Sequence, residues 1–221
     1  MKLFLEAIVK FTCGLLLVGL LIFLPAGTLA YSHGWLLIGL LFGPMLIAGF
    51  VMLAKSPDFL KKRLDVKEKQ ATQKGVVAYA GLMFIAGFVV AGLDYRFGWS
   101  NMPQWVTIAA SVLFLVSYAL YAEVMRENAY LSRTIKVEEG QKVVDTGLYG
   151  VVRHPMYAVT ILLFMAMPLV LGSWYALIVF AFYPAIIIVR LKDEEDLLTR
   201  ELPGYDAYKQ KVNYRIIPFI W

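Results

Sequence analysis

The chain has 221 residues, of which 60% are hydrophobic and 17% are charged. Soluble globular domains carry roughly 25% charged residues, so this composition excludes an ordinary soluble domain and indicates an integral membrane protein. The formal net charge of +5 fits a basic rim against anionic lipid, and we therefore expect the lipid bilayer, and no nucleic acid, as a partner.

Residues 11–54 contain no Asp, Glu, Lys or Arg. A membrane-spanning helix needs about 20 apolar residues, so this stretch predicts two spans, with a break at residues 25–27 and 31–34, where Pro and Gly are poor helix formers. The first apolar run is too long for a typical signal peptide, which favours an uncleaved anchor. The single cysteine, Cys13, is expected to be a buried, inert thiol, and no metal site is expected.

Two later stretches, residues 75–93 and 97–122, also lack acidic and basic side chains. They predict a third and a fourth span joined by a short turn at residues 94–96. Residues 123–132 contain good helix formers and neither Gly nor Pro, so the fourth helix is expected to continue through them. Residues 133–147 predict an irregular or short β segment over the mouth of a pocket.

The last apolar stretch, residues 154–189, is interrupted at residues 167–168 and 172–173. Each half is slightly short for a full crossing, which predicts a tight hairpin of tilted helices over residues 155–190. After the hairpin, residues 192–202 predict a short amphipathic helix ended by Pro203 and Gly204, and residues 205–212 predict another helix.

The predicted fold class is therefore an all-α integral membrane protein. It has about four transmembrane helices plus a C-terminal hairpin, or five to six spans, and a small cofactor-binding region. Residues 1–122 form the N-terminal transmembrane helices, and residues 123–221 form the C-terminal catalytic region.

Basic residues indicate the orientation of the spans. Of the 21 Lys and Arg residues, only Arg96 falls in a loop on the side opposite to all the others. The positive-inside rule then predicts that both termini and the pocket are cytoplasmic.

Polar residues lie at both ends of the hairpin. Arg153, His154 and Tyr157 come where it begins, and Pro155 suits the first turn of a helix that starts near His154. Burying an ionisable group inside the membrane is costly in free energy unless the group faces a pocket or water. We therefore interpret these residues as a binding site. The alternative is that they only anchor helix ends at the membrane surface.

Where the hairpin ends, Arg190 and Glu194 lie four residues apart on one helix face, and Glu195 projects about 100° away. One carboxylate can therefore pair with Arg190 while the other stays available to a ligand. Glu195 is expected to be an exposed carboxylate at the start of a helix.

Residues 143–157, Val-Val-Asp-Thr-Gly-Leu-Tyr-Gly-Val-Val-Arg-His-Pro-Met-Tyr, are followed across the hairpin by Arg190 and the Glu194–Glu195 pair. This combination resembles the isoprenylcysteine carboxyl methyltransferase family of membrane enzymes over residues 128–221. In that family the Arg-His-Pro-x-Tyr segment and the Glu-Glu pair enclose S-adenosylmethionine, and the acceptor enters from the lipid. The chain departs from the family pattern at Val159, where Gly is usual.

The resemblance implies a role for each group of residues. The residues implied to bind S-adenosylmethionine are Val144, Gly147, Tyr149, His154, Tyr157, Glu194 and Glu195. Arg190 and Arg153 are implied as catalytic residues. Arg190 would orient an acceptor carboxylate with its planar guanidinium, and a salt bridge to Glu194 is its alternative role. Asn128 and Tyr130 would help to bind a lipophilic or prenylated acceptor. The sequence leaves open whether this acceptor is a prenylcysteine, another lipophilic acid, a phospholipid amine or a small thiol.

Two other classes of function are considered. A membrane reductase of the sterol-reductase type would use NADPH, and its C-terminal region is similar to Tyr214-Arg-Ile-Ile-Pro218; such proteins are usually much longer than 221 residues. A non-enzymatic scaffold or channel is the second. A channel needs polar residues inside its spans, and here the spans contain only scattered Ser, Thr and Tyr.

Overall fold

The computed structural model describes residues 2–64, 71–131, 135 and 137–221. Within these residues the chain is helical and forms no β-strand. The α-helices are α1 (Lys2–Ala26), α2 (Ser32–Lys55), α3 (Pro57–Leu64), α4 (Ala71–Phe97), α5 (Gln104–Glu127), α6 (Pro155–Val170), α7 (Trp174–Phe180), α8 (Tyr183–Glu201) and α9 (Tyr205–Lys211).

In the described part of the chain, five helical segments are long and apolar enough to cross a membrane: α1, α2, α4, α5 and the combined segment Trp174–Glu201. Helix α6 is apolar but has only 16 residues, and together with α7 and α8 it forms the C-terminal hairpin. Large apolar side chains on the outer helix faces are exposed, as lipid-facing surfaces require. The predicted all-α membrane fold with four spans and a hairpin is therefore confirmed.

The predicted turn at residues 94–96 is wrong, because α4 continues to Phe97. Gly98 follows the last residue of the helix, and its φ of +65° is a left-handed conformation that suits glycine. The connection to α5 follows at residues 98–103. Asp94 contacts this connection, since its carboxylate accepts hydrogen bonds from Ser100 N and Ser100 Oγ, both at 2.6 Å.

The expected extension of α5 through residue 132 is also wrong, because the helix ends at Glu127. Asn128 turns the chain, and its Oδ1 accepts the backbone N–H of Tyr130 at 3.0 Å. Between residues 133 and 147 the described residues are irregular. Residues 132–134 and 136 lie outside the described residues, so the predicted β pattern that begins at Thr134 lies partly outside them too.

The C-terminal predictions are largely confirmed. Helix α6 begins at Pro155, and α9 occupies Tyr205–Lys211. Residues 192–202 are not a separate helix, however, because α8 runs without a break to Glu201 and contains most of them. The interruption comes earlier, at residues 181–182 between α7 and α8, just before Pro184, which lacks the backbone N–H that would continue a helix.

Cys13 was expected to be buried and is instead exposed on the outer face of α1. A thiol behaves as a small apolar group, so it fits a surface that faces lipid.

The core lies where α1, α4, α5 and the hairpin pack together. The large side chains fully buried there include Ile22, Phe114 and Phe180. Glycines let the backbones approach closely: a Cβ added at Gly92 would lie 2.5 Å from the carbonyl oxygen of Ile22, and one added at Gly87 would lie 2.4 Å from the ring of Phe180.

The spans alternate in direction, so the helix bundle has two distinct ends. At one end Tyr31 Oη donates to Leu171 O at 2.5 Å, and Ser173 donates to Asp94. At the other end Arg63 of α3 donates to Tyr121 of α5, and Arg153, just before α6, pairs with Glu195 of α8. The two polar groups that bracket the hairpin therefore lie at the same end of the bundle.

Gly92→Ala should destabilise the protein, because the added methyl group cannot fit between α4 and the backbone of α1. Overpacking of this kind costs about 1–3 kcal/mol. Gly81→Ala on the same helix is the matched control, since nothing lies within 4 Å of its added Cβ and alanine favours a helix over glycine by roughly 1 kcal/mol. Thermal unfolding in detergent measures both, and equal melting temperatures for the two variants would contradict the close helix packing.

Candidate functional site

The candidate site is a cleft at the end of the bundle where α6 begins and α8 ends. It encloses about 840 Å³ of space between atoms, including its open mouth. Most residues predicted to bind a ligand line it. They are Asn128, Tyr130, Val144, Tyr149, Arg153, His154, Tyr157, Arg190 and Glu194. Gly147 and Glu195 do not line the cleft, and the cofactor contacts of all these residues stay predictions.

Glu195 is the centre of a buried ionic cluster. Its carboxylate accepts hydrogen bonds from Arg153 Nε at 2.8 Å and from Arg215 Nε at 2.7 Å. His154 Nε2 lies 3.4 Å from the same carboxylate. Glu195 is only 7% exposed, so the expectation of an exposed carboxylate is wrong. The two carboxylate oxygens have a structural role, because one accepts a hydrogen bond from Arg153 and the other accepts one from Arg215.

Arg153 ties this cluster to the C-terminal segment of the chain. Its Nη1 donates to the carbonyl oxygens of Val212 at 2.8 Å and Asn213 at 3.0 Å. The backbone N–H groups of Arg153 and His154 donate to Tyr214 O and Arg215 O, both at 2.8 Å. The chain end thus caps the residues that lead into α6. Arg153 itself has its Nε and Nη1 engaged in these internal bonds.

Sequence reasoning missed Arg215. The sequence signal for Arg215 is the segment 214–218, which is similar to a segment of sterol reductases. That similarity does not indicate a contact between Arg215 and the hairpin. Its carboxylate partner lies 20 residues away along the chain, and sequence pattern alone does not reveal such a pairing.

A second polar network faces the cleft and is centred on the hydroxyl of Tyr157. That hydroxyl donates to Glu194 Oε2 and accepts a hydrogen bond from Arg190 Nε at 3.2 Å. Arg190 and Glu194, which are predicted to lie on one helix face, therefore both form a hydrogen bond with the hydroxyl of Tyr157. Tyr157 also stacks on His154, with ring centroids 5.7 Å apart, which links the two networks.

Gln73 of α4 completes the second network and was not predicted. Its side chain is fully buried; Oε1 accepts a hydrogen bond from Arg190 Nη1 at 3.0 Å, and Nε2 donates to Asp193 Oδ2 at 2.8 Å. A polar residue in the first turn of an apolar span is the only sequence signal, and that signal equally fits a residue at the membrane surface.

Tyrosines form another wall of the cleft. Asn128 Nδ2 donates to Tyr149 Oη at 3.0 Å, and Tyr208 Oη donates to Tyr149 O at 2.7 Å. Tyr205 Oη lies 3.5 Å from His154 Nε2. Burial raises the pKa of Tyr205 above its ordinary value, and the charges of Glu195 and Glu194 raise it further. Its hydroxyl is therefore neutral at physiological pH.

Burial also raises the pKa of Tyr149 and of Tyr208. The wall therefore offers neutral hydroxyl groups and aromatic faces. These suit a ligand that carries hydroxyl groups and positive charge.

Gly147 and Val159 support the site from outside. Gly147 has φ +54° and lies so close to α5 that an added Cβ would be 3.0 Å from Glu127 Cδ. Thr146 Oγ1 donates to the same Glu127 at 2.6 Å. Val159 packs in a small buried cluster with Val124 and Tyr149. Its side chain therefore supports Tyr149, which lines the cleft.

The part of the chain that builds most of the cleft matches a known family. Residues 105–204 match the family model described as "Phospholipid methyltransferase". This match runs from α5 to the loop after α8 and includes both polar groups of the hairpin. It supports a membrane methyltransferase. The finer resemblance to isoprenylcysteine carboxyl methyltransferases stays a prediction.

Two relatives match shorter regions. The Delta(14)-sterol reductase TM7SF2 of Mus musculus is 30% identical over 91 residues, which cover 40% of this chain and 22% of the reductase. The uncharacterized protein YpbQ of Bacillus subtilis (strain 168) is 32% identical over 95 residues, which cover 42% of this chain and 56% of YpbQ. The matched regions thus span about a fifth of the reductase and just over half of YpbQ.

Glu195→Ala should sharply reduce the yield and melting temperature of the folded protein. Removal of one member of a buried ionic group leaves uncompensated charge and costs about 3–5 kcal/mol; here two guanidinium groups would lose their common partner. Asp196→Ala is the matched control, because Asp196 is the next residue on α8 and is exposed. Thermal unfolding in detergent provides the comparison, and a Glu195→Ala protein as stable as Asp196→Ala would contradict the structural role of the cluster.

Proposed function

We propose that the cleft binds S-adenosylmethionine and that the protein transfers a methyl group from it to a lipophilic acceptor. We further propose that the acceptor group is a carboxylate, as in a prenylcysteine-like compound or another isoprenoid or lipid acid. The observation that carries the proposal is the pairing of Glu194 and Arg190 at the hydroxyl of Tyr157. One anionic and one cationic group there face the same cleft, within the region that matches a methyltransferase family.

The residues of the cleft fit S-adenosylmethionine. This compound, when bound, supplies an electrophilic methyl group on a positively charged sulfur. The carboxylate of Glu194 suits its amino group or its ribose hydroxyls, and the rings of Tyr157 and Tyr205 suit a cation.

Apolar side chains in the lining suit an amphipathic acceptor. Leu131, Ile135 and Met156 line the cleft and offer apolar contacts to a hydrocarbon chain. Arg190 offers a planar guanidinium to a carboxylate. Such an acceptor already carries negative charge and needs no base, so the protein has to align the reactants and exclude water.

The membrane orientation belongs to the same proposal. By the positive-inside rule, the end of the bundle that carries the cleft faces the cytoplasm, together with both termini. The cofactor would then enter from the cytoplasm, and the acceptor would enter from the lipid between α4, α5 and the hairpin.

A reductase that uses NADPH is the second candidate. The observation in its favour is the 30% identity with the mouse Delta(14)-sterol reductase over 91 residues. Arg190 and Lys142 line the cleft and would then bind a dinucleotide phosphate, so the two candidates differ in the ligand of one cleft.

Calorimetric titration of the detergent-purified protein with S-adenosylhomocysteine should show binding, and NADPH titrated in parallel should show none. Glu194→Gln should weaken S-adenosylhomocysteine binding at least tenfold, or about 1.4 kcal/mol, because it removes the carboxylate and keeps a similar shape. Glu201→Gln, an exposed position at the end of the same helix, should bind like the wild type. Binding of NADPH alone would favour the reductase, and binding of neither ligand would contradict both candidates.

Arg190→Lys should keep S-adenosylhomocysteine binding and reduce methyl transfer by roughly tenfold or more, because lysine cannot present a planar fork to a carboxylate. The rate of methyl transfer is measured with S-adenosylmethionine that carries a radiolabelled methyl group. The two acceptors tested are N-acetyl-S-farnesylcysteine and phosphatidylethanolamine. A methyl ester releases labelled methanol in base, and a methylated amine does not. Arg200→Lys, exposed near the end of α8, is the control. Full activity of Arg190→Lys would remove the role assigned to Arg190.

A further inference from the structure

Gln73 brings the N-terminal half of the chain into the polar network of the cleft. It lies in the first turn of α4, outside the matched residues 105–204, and its side chain is fully buried. It does not line the cleft. Any effect on a ligand must therefore act through the residues that it contacts, Arg190 and Asp193.

The amide of Gln73 matches these two neighbours in chemical type. Arg190 and Asp193 lie three residues apart on α8, which places them on one face of the helix. The amide oxygen accepts from Arg190 at 3.0 Å, and the amide nitrogen donates to Asp193 at 2.8 Å. A guanidinium can only donate and an ionised carboxylate can only accept. The orientation of the amide is therefore determined by its two partners.

The contact with Gln73 restricts the orientation of Arg190. Arg190 donates through Nε to Tyr157 of α6 and through Nη1 to Gln73 of α4. The guanidinium group is planar, so two bonds to two different helices fix the direction in which the plane faces. Arg190 lines the cleft, and a fixed plane there lowers the entropic cost of binding a carboxylate.

We propose that Gln73 is a positioning residue that sets the guanidinium plane of Arg190 and thereby makes the cleft prefer an acceptor with a carboxylate over the same acceptor without the charge. This inference rests on the proposed function, in which Arg190 meets the acceptor and Glu194 meets the cofactor. It assigns the selection of the acceptor group partly to the N-terminal helices.

The test uses N-acetyl-S-farnesylcysteine as the acid probe and its methyl ester as the uncharged probe, both titrated into the full-length protein in detergent. Gln73→Met keeps the length of the side chain and removes both hydrogen-bonding groups. We expect it to weaken binding of the acid about tenfold and to leave the ester and S-adenosylhomocysteine within about twofold of the wild type.

A paired exchange separates positioning from packing. Gln73→Glu keeps an acceptor for Arg190 but sets a carboxylate against Asp193, so its preference for the acid should fall. Adding Asp193→Asn restores a donor opposite the new carboxylate and keeps the net charge of the wild type. The double variant should regain the preference for the acid to within about threefold.

The outcomes distinguish this inference from the proposed function. A wild type that fails to bind S-adenosylhomocysteine would overturn both. A wild type that binds it but does not prefer the acid over the ester would overturn the inference and leave methyl transfer to another acceptor group in place. The inference would also be overturned by a folded Gln73→Met protein with the wild-type preference, or by a folded double variant that does not recover it.

Discussion

The cleft depends on the neutralisation of one buried carboxylate. Glu195 lies in the last two turns of α8, and its charge is compensated by Arg153 and Arg215 at 2.8 and 2.7 Å. Desolvating these charges is costly unless their geometry and hydrogen bonds are good. Arg153 lies two residues before α6, Glu195 lies in α8 and Arg215 lies in the C-terminal segment, so the ionic contacts hold three separate parts of the chain at one point.

Glu194 and Glu195 have opposite tasks because of the helix that carries them. Adjacent residues on an α-helix project about 100° apart. Glu195 therefore turns into the protein, where arginines surround it, and Glu194 turns toward Tyr157 and the cleft. The ionic contacts of Glu195 fix the rotation of α8 about its own axis. This rotation directs Glu194 toward the cleft. The pair is best understood as one residue that positions the helix and one that is available to the cleft.

The sequence predicted what local composition determines. The spans, the hairpin and the start of α6 at Pro155 follow from apolar length and from proline, and most of the residues of the Arg-His-Pro-x-Tyr segment do line the cleft. The misses have a common cause. The burial of Glu195 and the role of Gln73 depend on partners up to 120 residues away along the chain, and no local pattern specifies them. The turn expected at residues 94–96 was misplaced because Asp94 interrupts an apolar run without interrupting the helix.

The matched region does not build the cleft alone. Residues 105–204 supply most of the lining, yet Gln73 holds Arg190 from α4, and Lys62 of α3 pairs with Glu138 at 2.6 Å in the segment that leads to the lining residue Gln141. Arg215 closes the ionic cluster from beyond residue 204. A domain that kept the matched residues but changed its N-terminal helices could therefore retain Glu194 and Tyr157 in place while Arg190 turned differently. Under the proposed function, differences in acceptor between proteins that share this region would be sought in α3 and α4, which lie before the matched residues.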